Sequence, residues 1–494
     1  MITSTKTESS TLSANYNFGY IWLISIVAAL GGLLFGYDWV VIGGAKPFFE
    51  KYFHLTTAEQ SGWANSCALI GCLVGALVAG ALSDKFGRKR LLIVSAFLFA
   101  ITSLGNAFAP TFSIFIAWRM LGGVAIGLAS NLSPMYIAEV APAQMRGRLV
   151  SINQLTVVIG ILAAQFINWS LVRNLPAGAS DEFIQNSWYG QVGWRWMFGI
   201  TAIPSLLFFA GMFFVPESPR WLAKNGRPED AKSILKKIGG ENYAGAALGE
   251  IEATLVNETE KVDFRELLVP KMRKVLLLGV VLAVFQQWCG INVIFNYAEE
   301  IFRSAGYDIS SVLKNIAWTG SVNMAFTFVA LGVVDRGGRR PLMLFGAAAL
   351  AVVYTVMGFC YHSHVQGWPM LALVLAAIAA YSMSLAPVTW VVISEIFPNR
   401  IRGAAMAVAV ATLWLACFIL TYTFPILNHG FGDSGGAVGH FLERFMPWLK
   451  HGLGSDGTFW LYAVICVLGF VFIFFKLPET KNKTLEQIER DLAD

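Results

Sequence analysis

Charge is what this sequence has least of. Asp, Glu, Lys and Arg make up 14% of its 494 residues, where an average soluble domain carries about 25%. Apolar side chains account for 56%, and the 47 glycines raise the apolar-plus-glycine share to about 66%, against about 45–50% in globular chains. So few charges cannot cover that much apolar surface in water, which excludes a string of soluble domains and a disordered chain. Cysteine is scarce as well. The six (Cys67, Cys72, Cys289, Cys360, Cys417, Cys466) lie in apolar stretches without CxxC or Cys/His spacing, which excludes a disulfide scaffold and argues against a metal or redox centre. No GxxxxGK[ST], HExxH or GxSxG occurs, so neither ATP coupling nor a hydrolase is expected. The residues imply no enzyme and no cofactor. The first 18 residues are polar and rich in Ser and Thr, without a basic n-region, so no cleaved signal peptide is expected.

What is present is a set of long apolar runs. Stretches able to cross about 30 Å of hydrocarbon recur near 19–42, 61–83, 91–109, 112–135, 149–172 and 195–215, then near 273–302, 312–334, 341–361, 369–394, 402–427 and 457–476. The fold expected is therefore all-α and membrane-integral: twelve transmembrane helices in two six-helix bundles. The domains expected are an N-terminal tail (1–18), a first bundle (19–215), a linker (216–272), a second bundle (273–476) and a C-terminal tail (477–494). Amphipathic patterning at 228–237 and 249–257 predicts short helices in the linker. The 429–456 loop carries no readable role.

The net charge of +5 reports topology rather than affinity for nucleic acid. Lys85, Arg88, Lys89, Arg90, Arg146, Arg148, Arg336, Arg339, Arg340, Arg400, Arg402, Lys481 and Lys483 fall in loops after even-numbered spans or in the C-terminal tail. The positive-inside rule then places both termini and the linker in the cytoplasm of a multi-pass protein of a bacterial-type plasma membrane.

The two halves repeat one another. Gly80-Ala-Leu-Ser-Asp84-Lys-Phe-Gly87-Arg88 is echoed by Gly332-Val-Val-Asp335-Arg336-Gly-Gly338-Arg339, and the Glu139…Arg146-Gly147 segment by Glu395…Arg402-Gly403. Pro216-Glu217-Ser-Pro finds its partner in Pro478-Glu479-Thr. Duplicated bundles are the architecture of a rocking transporter with its substrate site between the halves.

Three constellations carry chemistry. Asp84, Arg88, Glu139 and Arg146, with Asp335, Arg339, Glu395 and Arg402, place carboxylates beside guanidinium groups at helix ends. Such pairs would tie neighbouring helices together when the cytoplasmic side is shut; the bland alternative is ordinary loop charge. Asp38 and Arg119 lie at membrane depth, where each costs roughly 2.5–3.5 kcal/mol. Paired, they form either a static pin or an acid able to take and release a proton. Amides supply donors and acceptors for sugar hydroxyls, and Gln154, Gln286, Gln287, Asn292, Asn296 and Asn323 sit inside apolar runs. A lone amide is as readily interhelical glue; four within eleven residues are harder to explain that way. Trp390 offers a flat apolar face to a sugar ring. On one straight helix Gln287 and Asn296 would point apart, so Gly290 is expected to break the helix and let both address one cavity.

Taken together, PESPRWL (216–222), FQQWCGIN (285–292), PETK (478–481) and the Arg119-Met-Leu-Gly122-Gly123 run resemble the sugar porter branch of the major facilitator superfamily, over nearly the whole chain. They are most similar to the bacterial xylose–proton symporter group and also resemble glucose facilitators. The resemblance implies proton-coupled import of a monosaccharide, with the lipid bilayer and the sugar as the partners and no obligate protein partner. It implies sugar contacts from Gln154, Gln286, Gln287, Asn292, Asn323 and Trp390, an extracellular aromatic lid at Tyr297, an intracellular charge network, and an Asp at position 38 where facilitators are neutral. Four departures stand out. The xylose group has Glu at Thr201, Gln at Ile161, an amide at Leu413 and Tyr at Asn296. An apolar residue at 161 resembles the glucose carriers and favours a hexose, while a uniporter or an inositol-type polyol carrier is the alternative.

Overall fold

The computed structural model describes residues 16–173, 175–176, 179–256, 269–397, 402–429 and 453–481. Among them no strand occurs, and twelve helices are long and apolar enough to cross a membrane. In chain order these spans are Phe18–Tyr52, Ala58–Phe86, Arg88–Ala107, Phe112–Val140, Arg146–Val172, Tyr189–Phe214, Met272–Asn296, Ile309–Val333, Arg339–His362, Trp368–Ile393, Ala404–His429 and Gly454–Lys476. The protein is an all-helical, multi-pass membrane protein. The largest departure from the apolar runs is in the first span, which continues ten residues beyond the expected end at 42. Hydropathy marks only the part of a helix that meets hydrocarbon, whereas the backbone stays helical past Lys46 and through Pro47.

Small residues set how closely the spans pack. A Cβ at Gly71 would overlap the backbone of Met120, and one at Gly123 that of Ala68, so the second and fourth spans touch backbone to backbone. Gly36 and Gly160 do the same for the first and fifth. Without a hydrophobic drive between helices in lipid, such close approach is what dispersion contacts require.

The linker joins the bundle through Trp221, whose indole donates to the Asp84 carbonyl at 2.9 Å. After a short helix, Pro219–Lys224, the two stretches expected to be helical fall in one element, Pro228–Val256, turned at Gly240 (φ 83°). The Asn17 amide donates to Ile238 O at 2.9 Å, and Glu479 accepts from the Arg339 amide at 3.0 Å. Both described chain ends therefore lie at one face, with the linker, and this is called the chain-end face below.

The two faces differ in how the halves meet. Along one stripe of the fifth span, Gly147, Ser151 and Gln154 are exposed or half-buried, whereas Val158, Ile161, Gln165 and Asn168 are buried. At that buried end Gln165 donates to Thr319 of the eighth span at 3.3 Å. A Cβ on Gly43 would come within 2.7 Å of Phe295 O, and one on Gly62 within 2.5 Å of Tyr422 O. The halves are closed against each other at the far face and parted toward the chain-end face.

Candidate functional site

The charged pair at membrane depth is formed. Arg119 Nη1 donates to Asp38 Oδ1 at 2.8 Å, tying the fourth span to the first, and the side chains are 3% and 12% exposed. The guanidinium also lies over the Phe198 ring, 5.5 Å from its centroid. The pair is incomplete: Asp38 Oδ2 and Arg119 Nε are buried without a partner. One strong bond holds the ion pair, and one carboxylate oxygen is left without a partner. Thr201 is buried.

The amides come together on the other half. The seventh span is broken as its glycine implies: one helix ends at Trp288, Gly290 adopts φ 86°, and a second helix runs Ile291–Asn296. An L side chain at that φ would be strained. The break folds Asn292 back so that its Nδ2 donates to Gln287 Oε1. Gln287 Nε2 donates to Gln286 Oε1 at 2.5 Å, and Gln286 Nε2 donates to Tyr381 Oη at 2.6 Å. Ser382, beside Tyr381 on the tenth span, donates to Asn323 Oδ1 at 2.7 Å. Gln286, Gln287, Asn292 and Asn323 are thus joined in two short chains that meet at adjacent residues of one span.

Asn296 does not join them, which corrects the expectation that the Gly290 break would bring it to the same cavity as Gln287. It ends the short helix against Gly43 of the first span, with its Oδ1 unpartnered. Gln154 and Trp390 are exposed on the parted side and are not bonded to the amides. Tyr297 is fully buried: its hydroxyl donates to Thr421 O at 2.7 Å, and its ring lies 4.6 Å from Phe424. Ile161 and Leu413 are buried. Tyr381 and Ser382 were not singled out from sequence, although a polar pair directly after the apolar run 371–380 was a visible signal. An aromatic triangle was also missed. Phe35, Trp39 and Trp414 place rings 5.8–6.0 Å apart across the two halves, and the i, i+4 spacing of the first two was the signal.

At the chain-end face the sequence echo becomes a structural one. Arg88 grips Glu139 through Nε (3.0 Å) and Nη2 (3.1 Å), and Asp84 through Nη1 (3.1 Å). Arg339 Nη2 meets Glu395 at 3.3 Å. Glu217 accepts from the Arg88 and Lys89 amides, and Glu479 from those of Arg339 and Arg340. Each acid caps a helix N-terminus, where its charge meets the positive end of the dipole. Burial works against the Glu479 charge, but the backbone N–H groups outweigh it and hold the carboxyl below its usual range. The motif glycines are explained by the same caps, since a Cβ on Gly338 would lie 2.9 Å from the Glu479 carboxylate. The Arg–Glu pairs were expected only with this face shut; they are made here while it is parted. The reason is that each pair lies within one half, so the parting of the halves leaves it intact. Arg146 is exposed and makes no ion pair among the described residues. The side chains of Asp335 and Arg402 lie outside the described residues.

The sequence and the fold find relatives of one kind. A family model described as sugar (and other) transporter matches residues 24–492. The chain belongs to the sugar transporter family. It is 38% identical to the D-xylose–proton symporter of Escherichia coli (strain K12) over 97% of both chains. It is 37% identical to the arabinose–proton symporter of Bacillus subtilis (strain 168), over 97% of this chain and 96% of that one. A solved structure of the E. coli xylose transporter in a partially occluded, inward-open conformation superposes with a TM-score of 0.79 at 35% identity, covering 94% of this chain and 100% of the other. As a member of this family the chain is a transporter of the major facilitator fold, not an enzyme.

Proposed function

We propose that this transporter imports a monosaccharide together with a proton, by alternating access, with bilayer and sugar as its partners. The observation that carries the reading is the Asp38 carboxylate, buried, held by a single bond to Arg119 and left with one unpartnered oxygen. On this reading Asp38 alternates between its bond to Arg119 and a carried proton. The amide chain of Gln286, Gln287 and Asn292, with Asn323, supplies the donors and acceptors for sugar hydroxyls. Gln154 and Trp390 face it from the open side, and Asn296 and Tyr297 act in closing the far end. Residues 19–215 and 273–476 rock as the two halves, with 216–272 as the connecting linker.

Loop charge supports a cytoplasmic position for the chain-end face in a bacterial plasma membrane, and on that reading the conformation is open inward. The Arg88–Glu139 and Arg339–Glu395 pairs then hold each half rigid at its cytoplasmic rim, and Asp84, Arg146, Asp335 and Arg402 belong to the same rim. Ile161, where a glutamine would reach for a pentose hydroxyl, supports a hexose as cargo. Thr201, without a carboxyl group, supports the alternative of a uniporter, since no second acid accompanies Asp38. Uptake of labelled glucose and xylose into proteoliposomes, with and without an inward proton gradient, decides between them. Gradient-driven accumulation establishes symport, and equilibration alone establishes a uniporter.

A further inference from the structure

We propose that Lys46 and Glu300 form a latch at the face opposite the chain ends, an ion pair between the halves that exists only while that face is shut. The proposal rests on the alternating-access reading above. Lys46 lies on the overrun of the first span, and Glu300 on the short helix Ala298–Ser304 that follows the seventh. Lys46 Nζ donates to Glu300 Oε2 at 2.8 Å, with the side chains 6% and 12% exposed. His429 Nε2 and Asn428 Nδ2, at the end of the eleventh span, contact Glu300 Oε1 at 2.6 and 2.8 Å. The ammonium also sits 5.1 Å over the Tyr297 ring. One carboxylate therefore gathers three elements.

Its position distinguishes this pair from the others. Among the ion pairs made between described residues, Arg88–Glu139, Arg119–Asp38, Arg339–Glu395, Arg303–Glu299 and Lys51–Asp181 each stay within one half, and Lys46–Glu300 alone crosses between them. Parting the far face must pull it open. The surroundings make the lysine indispensable to the shut state. Glu50 of the first span and Glu299 stand beside Glu300; Glu50 is held by Ser61 of the second span at 2.5 Å, and Glu299 by Arg303 at 3.3 Å. Burial disfavours the Glu300 charge, yet Lys46 and His429 hold its carboxyl well below the usual range. Without Lys46 the shut state leaves Glu300 to His429 and Asn428, with Glu50 and Glu299 beside it, whereas opening returns these acids to water. Removing one partner of a buried ion pair leaves an uncompensated charge, and here the molecule can relieve it by changing state.

The test reads both faces at once, by maleimide labelling of purified protein in a Cys360→Ser background with no added sugar. Thr319→Cys reports the far face, where Thr319 is 1% exposed between the fifth and eighth spans. Gly147→Cys reports the chain-end face, where an added Cβ meets nothing within 4 Å. Lys46→Met is expected to raise labelling at 319 by roughly tenfold or more and to lower it at 147, and Lys46→Arg to match the parent. Glu300→Gln is a second route to the same shift should Lys46→Met not fold. Unchanged labelling at 319, or a rise at both sites as from general loosening, overturns the proposal. Labelling needs neither sugar nor gradient, so a failure of the symport reading would appear in uptake and leave this readout untouched.

Discussion

The two halves of this transporter share their outer hardware and differ in what they hold at membrane depth. At the chain-end rim the first half sets Gly87, Arg88, Glu139 and Glu217 where the second sets Gly338, Arg339, Glu395 and Glu479, with matching bonds. Inside, the first half carries a charge pair, Asp38 and Arg119, and the second a run of neutral amides. A duplicated bundle must keep the caps and ion pairs that make it a rigid body. Its interior is free to diverge, because one half can take the ion while the other takes the neutral solute. This division is why we assign the proton to one half and the sugar chiefly to the other.

The sharpest way to break that comparison is Asp38→Asn, which fixes the neutral state. It is expected to abolish uphill accumulation in proteoliposomes while sugar binding, followed by calorimetry, stays at the parent value. Loss of binding instead would mean that the charge pair also shapes the sugar site. Next in size are Gln287→Ala and Asn292→Ala, each expected to weaken binding by about 1–3 kcal/mol, the cost of leaving buried polar partners unpaired. The number of protons moved per sugar should not change, and a changed ratio would dissolve the division between the halves. Ile161→Gln sharpens it from the first half, by placing an amide at a buried position of the fifth span. Competition between glucose and xylose should move toward xylose by about 1 kcal/mol, the worth of one added hydrogen bond.

The smallest effect tests the shared hardware. Glu217→Gln and Glu479→Gln should each cost about 0.3–1 kcal/mol, the usual range for a charge at a helix N-terminus, and lower the melting temperature by similar amounts. The sign with pH follows from the Glu479 carboxyl, whose pKa is depressed in the folded protein. Its stabilisation is present above the unfolded carboxylate value of about 4.3 and is lost as pH falls through the lower, folded value. The gap between parent and Glu479→Gln should therefore be open at neutral pH and close in acid. Unequal costs at neutral pH would show that matching geometry does not mean matching energetics.

Much of this was legible along the chain. Span number, the break at Gly290, the pairing of Asp38 with Arg119 and the echo of the rim motifs all follow from hydropathy, a glycine and the cost of buried charge. Other features were hidden for definite reasons. Tyr381 and Ser382 were missed because a polar side chain in an apolar span gains meaning only from its neighbour across the bundle. Asn296 was misplaced because the break at Gly290 brings back only the residue nearest to it: Asn292 folds onto Gln287, while Asn296 ends against the first span. The rim pairs were assigned to the wrong state because spacing shows that an acid and a base can meet, not whether they belong to one rigid half or to two.

By itself, the sequence determined that this chain lies in a membrane, crosses it twelve times and repeats its design, because each of those properties is local: the transfer energy of a run of residues, the turn at a glycine, the charge of a loop. Only the tertiary structure decided that Lys46 meets Glu300, 254 positions away, and which face stands parted. Both depend on how two rigid halves sit against each other, and that relation is written in no single stretch of the chain.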